Sequence, residues 1–197
     1  IKYLEKGLDI LHIGFSSALS SSYSNAVLAA NELLEEYPDR KIILVDSLSA
    51  SLGEGLLVHK AVMLKESGKS MDEIASWLEE NKLHLCHLFT VDNLFHLQRG
   101  GRVSKASAII GTMINIKPIL HVDDNGKLIP LQNVRGRKHS LSVLVDHMEE
   151  KIKGHENQND IVFISHGDSL EDAQYVASLV EKRFGISSFL IDYVCPT

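Results

Sequence analysis

The sequence is poor in the residues that build disulfide frameworks and structural zinc sites. Its two cysteines, Cys86 and Cys195, lie far apart and match neither a disulfide framework nor a CxxC motif. This usage is typical of a reducing compartment, where such cysteines are usually buried apolar residues. His84, Cys86 and His87 do cluster on one predicted strand, but strand alternation points His87 away from the other two, and no second ligand pair follows. The sequence therefore predicts neither a metal site nor a cofactor.

Long apolar runs and excess positive charge are also missing. No apolar run reaches the ~18 residues that a membrane-spanning helix needs, and no signal peptide is visible, so we expect a cytoplasmic protein without a membrane span. A net charge of −6 and a pI near 5.9 give no general attraction to nucleic acid. Hydrophobic residues at 44% and charged residues at 23% are typical of a globular chain, which we expect to be a monomer.

Short apolar runs alternate with helical patterns, which predicts an α/β fold. We expect two domains: a doubly wound parallel-sheet domain over residues 1–82 and a mixed-sheet α/β domain over residues 83–197. A capping box formed by Ser70 and Glu73 is expected to begin one helix. The predicted strands are 10–15, 42–46, 84–91, 118–122, 128–134, 161–165 and 188–194. The predicted helices are 51–67, 72–82, 92–98, 105–115, 138–153 and 169–184, with a further helix that ends at Tyr37-Pro38.

Six serines occupy ten positions in the segment FSSALSSSYS, residues 15–24, directly after the first predicted strand. Open α/β sheets bind ligands at the carboxyl ends of their strands, and hydroxyls there can hold a carboxylate or phosphate together with a helix N-terminus. Helix capping alone would account for Ser17 or Ser20, and we expect Ser20 to begin the helix. Six serines exceed the needs of one cap, so the segment is a candidate anion site.

The same segment nearly matches the nucleophile elbow G-x-S-x-G. Gly14-Phe15-Ser16-Ser17-Ala18 follows a strand, but the second glycine is missing. Ser165-His166-Gly167-Asp168 supplies a histidine and an acid in the wrong order for that fold. A serine hydrolase that acts on acyl esters through Ser16 or Ser17 remains the alternative function.

A basic, glycine-containing loop leads into an apolar helix in the second half. In the loop Arg99–Lys105, paired glycines free the backbone and three cations flank a helix start, which suits anion binding, and Arg135–Lys138 forms a second basic cluster. The predicted helix 105–115 is apolar on nearly every face. Such a helix is ordinarily core, although Gly111 and its alanines would also leave room for an apolar ligand.

The ordered motifs resemble the DegV family. FTVDNLFHLQRGGRVS at 89–104, GT at 111–112 and IKPIL at 116–120 look like the central signature of that family. The segments GK at 126–127 and VRGRK at 134–138 resemble its "GK…VRtrkka" stretch. IGFSSALS at 13–20 is similar to its "iSSxLSGTYqsA" strand and loop, and Asp46-Ser47 with Gly53 and Gly55 fits the stretch after its second strand. The similarity spans nearly the whole chain.

This resemblance implies a carrier protein without catalytic residues of its own, which binds one long-chain, palmitate-like fatty acid between its two domains and presents the carboxylate to a fatty-acid kinase subunit. Ser17, with Ser16 and Ser20 nearby, would bind the carboxylate. The helix that contains Gly111 and Ile114 would line the acyl tunnel. Arg102, with Arg99, would belong to the surface that meets the kinase.

The chain departs from the family pattern at two places. Ser21-Ser22 stands where the family usually has Gly-Thr, which makes this the first place to look for an altered pocket. The family's amino-terminal Thr-Ser-x-Pro segment and its glycine-rich carboxyl-terminal stretch have no counterpart here, so we expect this chain to be part of a longer protein.

Overall fold

The structure, a computed structural model, describes residues 1–92, 94–103 and 115–194. The chain divides into two compact units. Unit 1 comprises Ile1–Leu85 and Asp124–Lys127, and unit 2 comprises Cys86–Asp123 and Leu128–Thr197. Residues 105–114 of the predicted helix 105–115 lie outside the described residues, and the predicted domain limits at 82 and 83 stay a prediction.

Unit 1 is built on one pair of parallel strands. Its elements are β1 (Ile10–Gly14), α1 (Ser22–Glu36), β2 (Ile42–Asp46), α2 (Ser51–Glu66) and α3 (Met71–Asn81). The strands are in register from Ile10 opposite Ile42 to Gly14 opposite Asp46. Because the strands are parallel, the loops that follow Gly14 and Asp46 leave the sheet at the same edge.

The core of unit 1 lies between this sheet and the two helices that follow it. Val45 of β2 packs with Leu57 of α2 and Leu78 of α3, and all three are almost completely buried. Burying a side chain of this size contributes about 1.5–3 kcal/mol, so these contacts hold β2 and its carboxyl end in place.

The predicted capping box at the start of α3 is confirmed. The Ser70 hydroxyl accepts from the Glu73 N–H, and the Glu73 carboxylate accepts from the Ser70 N–H at 2.9 Å. The Lys69 ammonium and the Ser70 hydrogen bonds lower the pKa of Glu73 to about 2. The helix start therefore follows from the local sequence.

Helix α1 begins two residues later than predicted. Its N-cap is Ser21, whose side chain makes no capping hydrogen bond, so the prediction that Ser20 begins the helix is wrong. The N–H groups of Leu19 and Ser20 both donate to the Ser16 carbonyl, at 3.0 and 3.1 Å. This tight turn uses residues 16–20 and delays the helix.

Unit 2 contains one antiparallel and one parallel sheet. Its elements are β3 (Leu88–Thr90), α4 (Phe95–Arg99), β4 (Ile116–Val122), β5 (Leu128–Arg135), α5 (Arg137–Ile152), β6 (Val162–His166), α6 (Leu170–Phe184) and β7 (Phe189–Tyr193). The antiparallel sheet has the order β3-β4-β5, and β6 pairs with β7 in parallel. The predicted mixed α/β fold is confirmed. None of the helices in the described ranges is long and apolar enough to cross a membrane.

Strand β3 is shorter than the predicted strand 84–91. Only the three residues from Leu88 to Thr90 pair with β4, opposite His121 to Ile119. Lys82–His84 instead forms a 3₁₀ turn directly after α3. A strand extends only as far as its partner supplies hydrogen bonds, so the apolar pattern overestimated its length.

Candidate functional site

Two polar loops meet at the carboxyl edge of the β1–β2 sheet. The serine loop (residues 15–21) follows β1, and the Ser47 loop (residues 47–50) follows β2. Backbone hydrogen bonds tie the Ser47 loop to the serine loop and to the end of β1: the Ser16 N–H donates to the Ser49 carbonyl at 2.9 Å, and the Ser47 N–H donates to the Gly14 carbonyl at 3.0 Å. The two loops thus hold each other at the edge where α/β sheets bind ligands.

Ser16 is completely buried within unit 1. Its hydroxyl donates to the Gly126 carbonyl at 2.8 Å and accepts from the Ala18 N–H at 3.3 Å. A peptide carbonyl does not act as a general base, so this contact does not activate Ser16 as a nucleophile. In this arrangement the Ser16 hydroxyl stabilises the serine loop.

Ser17 is exposed, unlike its neighbour. Its backbone N–H donates to Asp46 Oδ1 at 3.2 Å, which fixes the main chain while the side chain lies at the surface of unit 1. Ser20 is half-buried, and its hydroxyl accepts from the Ser22 N–H at 3.2 Å. The structure therefore brings Ser16, Ser17 and Ser20 into one turn, and Ser17 is the exposed member of the three.

The Ser47 loop supplies buried serines that were not among the predicted site residues. Ser47 and Ser49 are almost completely buried. The Ser47 hydroxyl accepts from the Ser49 N–H at 3.1 Å and donates to the Ser49 carbonyl at 3.4 Å. Small hydroxyl residues two apart, just after a strand that ends in Asp46, were the signal that could have indicated this turn.

Gly126 lies against both loops and has no room for a side chain. Its φ of +72° is in the left-handed region, and a Cβ atom there would lie 2.2 Å from Ser16 Oγ and 3.2 Å from the Leu48 Cα. Only glycine combines this backbone conformation with so close an approach. In the sequence Gly126 is visible as part of the GK motif, but no local pattern indicates its place at the site.

The two predicted partner-surface arginines belong to unit 2 and are exposed. Arg99 Nη2 lies 3.0 Å from His96 Nδ1, and Arg102 Nη1 donates to the Gly100 carbonyl. These contacts leave both guanidinium groups at the surface. Gly111 and Ile114, the predicted tunnel residues, lie outside the described residues.

The second basic cluster pairs with side chains of its own unit. Arg137 Nε donates to Asp172 Oδ2 at 2.7 Å, and Lys138 Nζ lies 5.1 Å from the centre of the Tyr175 ring. Because these two cations already interact with side chains of unit 2, the cluster is a weaker candidate for an anion site. Across 1–92, 94–103 and 115–194 the structure contains no group of three or more His, Cys, Asp or Glu side chains that could hold a metal ion.

The chain is an α/β protein of two units, and unit 1 has a candidate ligand site in the hydroxyl-rich loops at the carboxyl edge of its parallel sheet. Within that class, the model of the DegV family of uncharacterised proteins matches residues 1–197, and the chain belongs to this family. A DegV domain-containing protein of Clostridium perfringens is 47% identical over 193 residues, which cover 98% of this chain and 66% of that protein. The chain thus spans about two thirds of the length of that relative.

Two solved structures share the fold over nearly the whole chain. A DegV family protein of Ruminococcus gnavus, refined with vaccenic acid, is 29% identical with a TM-score of 0.85, and the match covers 98% of this chain and 69% of that one. The Streptococcus pneumoniae Fatty Acid Kinase B3 protein, loaded with linoleic acid, is 26% identical with a TM-score of 0.86, and the match covers 98% and 68%. Both neighbours therefore carry long-chain fatty acids.

Proposed function

We propose that this chain binds a long-chain fatty acid and acts as a lipid-binding carrier rather than as an enzyme. The observation that carries the proposal is the fatty acid in the two solved neighbours, which match 98% of this chain. The exposed serine hydroxyl at a strand end is the second support, because hydroxyl groups there can donate to a carboxylate.

We assign binding of the fatty-acid carboxylate to Ser17, supported by Ser16 and Ser20 of the serine loop. Neutral hydroxyl groups can bind a carboxylate by hydrogen bonds without a cationic site, which is consistent with the net charge of −6. We further propose that Gly111 and Ile114 line the apolar slot for the acyl chain, because that segment is rich in isoleucine and small residues.

Native mass spectrometry of the purified protein, followed by lipid extraction, tests the function directly. We expect a bound fatty acid after purification, or binding when palmitate or oleate is added to delipidated protein. Failure of both would overturn the proposal. Turnover of p-nitrophenyl esters that disappears when Ser16 and Ser17 are replaced by alanine would support the hydrolase instead.

Replacing Ser17 by alanine is expected to weaken palmitate binding about tenfold, because one hydrogen bond to a charged carboxylate is lost. Titration calorimetry on delipidated protein measures the change. Ser24→Ala is the matched control, since Ser24 is another exposed serine in the first turn of α1. Equal affinities in the Ser17 and Ser24 variants would show that Ser17 does not bind the carboxylate.

We also propose that the protein presents the carboxylate to a partner such as a fatty-acid kinase subunit, with Arg99 and Arg102 on the contact surface. Exposed arginines suit a transient, charge-guided contact. Arg102→Ala is expected to weaken binding of the kinase subunit about fivefold, the effect of one exposed ion pair. The fatty-acid affinity should stay unchanged, and a loss of it would place Arg102 at the lipid site instead.

A further inference from the structure

The side chain that ends β2 joins the two loops of the candidate site. Asp46 is the last residue of β2 and lies opposite Gly14, the last residue of β1. Its Oδ1 atom accepts from the Ser17 N–H at 3.2 Å and from the Leu48 N–H at 3.1 Å. One carboxylate oxygen therefore holds one residue of the serine loop and one residue of the Ser47 loop.

This contact fixes the part of the serine loop that the backbone bonds do not. The backbone bonds to the Ser49 and Gly14 carbonyls hold Ser16 and Ser47, which are both buried. The exposed Ser17 comes next in the chain, and the hydrogen bond of its N–H runs to Asp46. The Asp46 carboxylate thus holds the main chain from which the exposed Ser17 side chain projects.

The same oxygen supports an unfavourable backbone conformation at Leu48. Leu48 has a φ of +49°, which a branched residue rarely adopts without a compensating contact. The Leu48 N–H donates to Asp46 Oδ1. The Leu48 Cα lies beside Gly126, and a Cβ atom added to Gly126 would be 3.2 Å from it. Loss of the acceptor would let Leu48 relax and would disturb the packing around Gly126 and Ser16.

From these contacts we infer that Asp46 is a positioning residue for the ligand site. It orients Ser17 for binding the fatty-acid carboxylate and does not contact the lipid itself. This inference rests on the proposed function. It requires an acceptor at the position of Oδ1, not a negative charge, because both of its partners are backbone N–H donors.

Three substitutions separate geometry from charge. Asp46→Asn keeps an acceptor oxygen at the same place and removes the charge, so we expect palmitate affinity within about threefold of the wild type. Asp46→Ala removes the acceptor, and Asp46→Glu keeps the charge but moves the carboxylate by one methylene. Both are expected to weaken palmitate binding about tenfold. If the alanine variant does not fold, the comparison of Asp46→Asn with Asp46→Glu gives the same decision.

Calorimetry should be combined with amide NMR of the delipidated proteins. We expect the Ser17 and Leu48 amide resonances to shift in the Ala and Glu variants and to remain near wild type in the Asn variant, a pattern that general destabilisation would not produce. Wild-type affinity in Asp46→Glu, or equal losses in Asn and Glu, would overturn the positioning role alone. A wild-type protein that binds no fatty acid would instead overturn the proposed function and the ligand role of Asp46 with it.

Discussion

Replacing Gly126 by alanine is expected to lower the free energy of unfolding of unit 1 by about 3 kcal/mol. Roughly 1 kcal/mol comes from forcing alanine to a φ of +72°. About 1–3 kcal/mol more comes from overpacking, since the new Cβ would lie 2.2 Å from Ser16 Oγ. Urea unfolding followed by the fluorescence of Trp77, the single tryptophan, reports on this unit because Trp77 packs against its core.

Gly7→Ala is the matched control for the backbone contribution, because Gly7 also lies in unit 1, on which Trp77 reports. Gly7 has nearly the same φ, +74°, and the nearest atom to an added Cβ there would be Arg40 Nη1 at 3.7 Å, an ordinary contact distance. Its substitution should cost only about 1 kcal/mol. The Ser16→Ala/Gly126→Ala double variant should lose less than the sum of the single losses, because the first change removes the clashing hydroxyl.

Additive losses in this double variant, or a Gly126→Ala protein no less stable than Gly7→Ala, would contradict the close packing of Gly126 on Ser16. Either result would also weaken the case for a preformed serine loop.

Local sequence patterns predicted much of the fold because their causes are local. The Ser70 and Glu73 capping box lies within one helical turn, and it begins α3 within one residue of the predicted position. The second predicted strand, 42–46, coincides with β2. The apolar run at 84–91 was misleading, because strand length depends on a partner that lies about thirty residues further along the chain.

The arrangement of the candidate site was less predictable, since its contacts connect distant parts of the chain. The serine segment and its place after a strand were visible in the sequence. The burial of Ser16 was not, because its partner, Gly126, lies 110 residues away. The link from Asp46 to Ser17 likewise requires the parallel register of β1 and β2, which no local pattern specifies.

The stability of the protein is expected to fall by about 3 kcal/mol between pH about 7 and pH about 4 because of His87. Burial lowers the pKa of His87 to about 4, and its Nδ1 is a buried nitrogen without a hydrogen-bond partner among the described residues. In the unfolded chain the ring titrates near its ordinary pKa of about 6.5. Between these two pH values the unfolded state binds a proton that the folded state does not, so acidification favours unfolding.

The contribution of His87 can be separated from that of other titrating groups by substitution. The free energy of unfolding should be measured by circular dichroism in urea across this pH range for the wild type, His87→Leu and His84→Leu. His84→Leu serves as the control at an exposed histidine, and His87→Leu should lose about 3 kcal/mol of the wild-type pH dependence. An NMR titration of the His87 ring gives a direct check: a ring that titrates near pH 6.5 in the folded protein would show that it is not held neutral by burial.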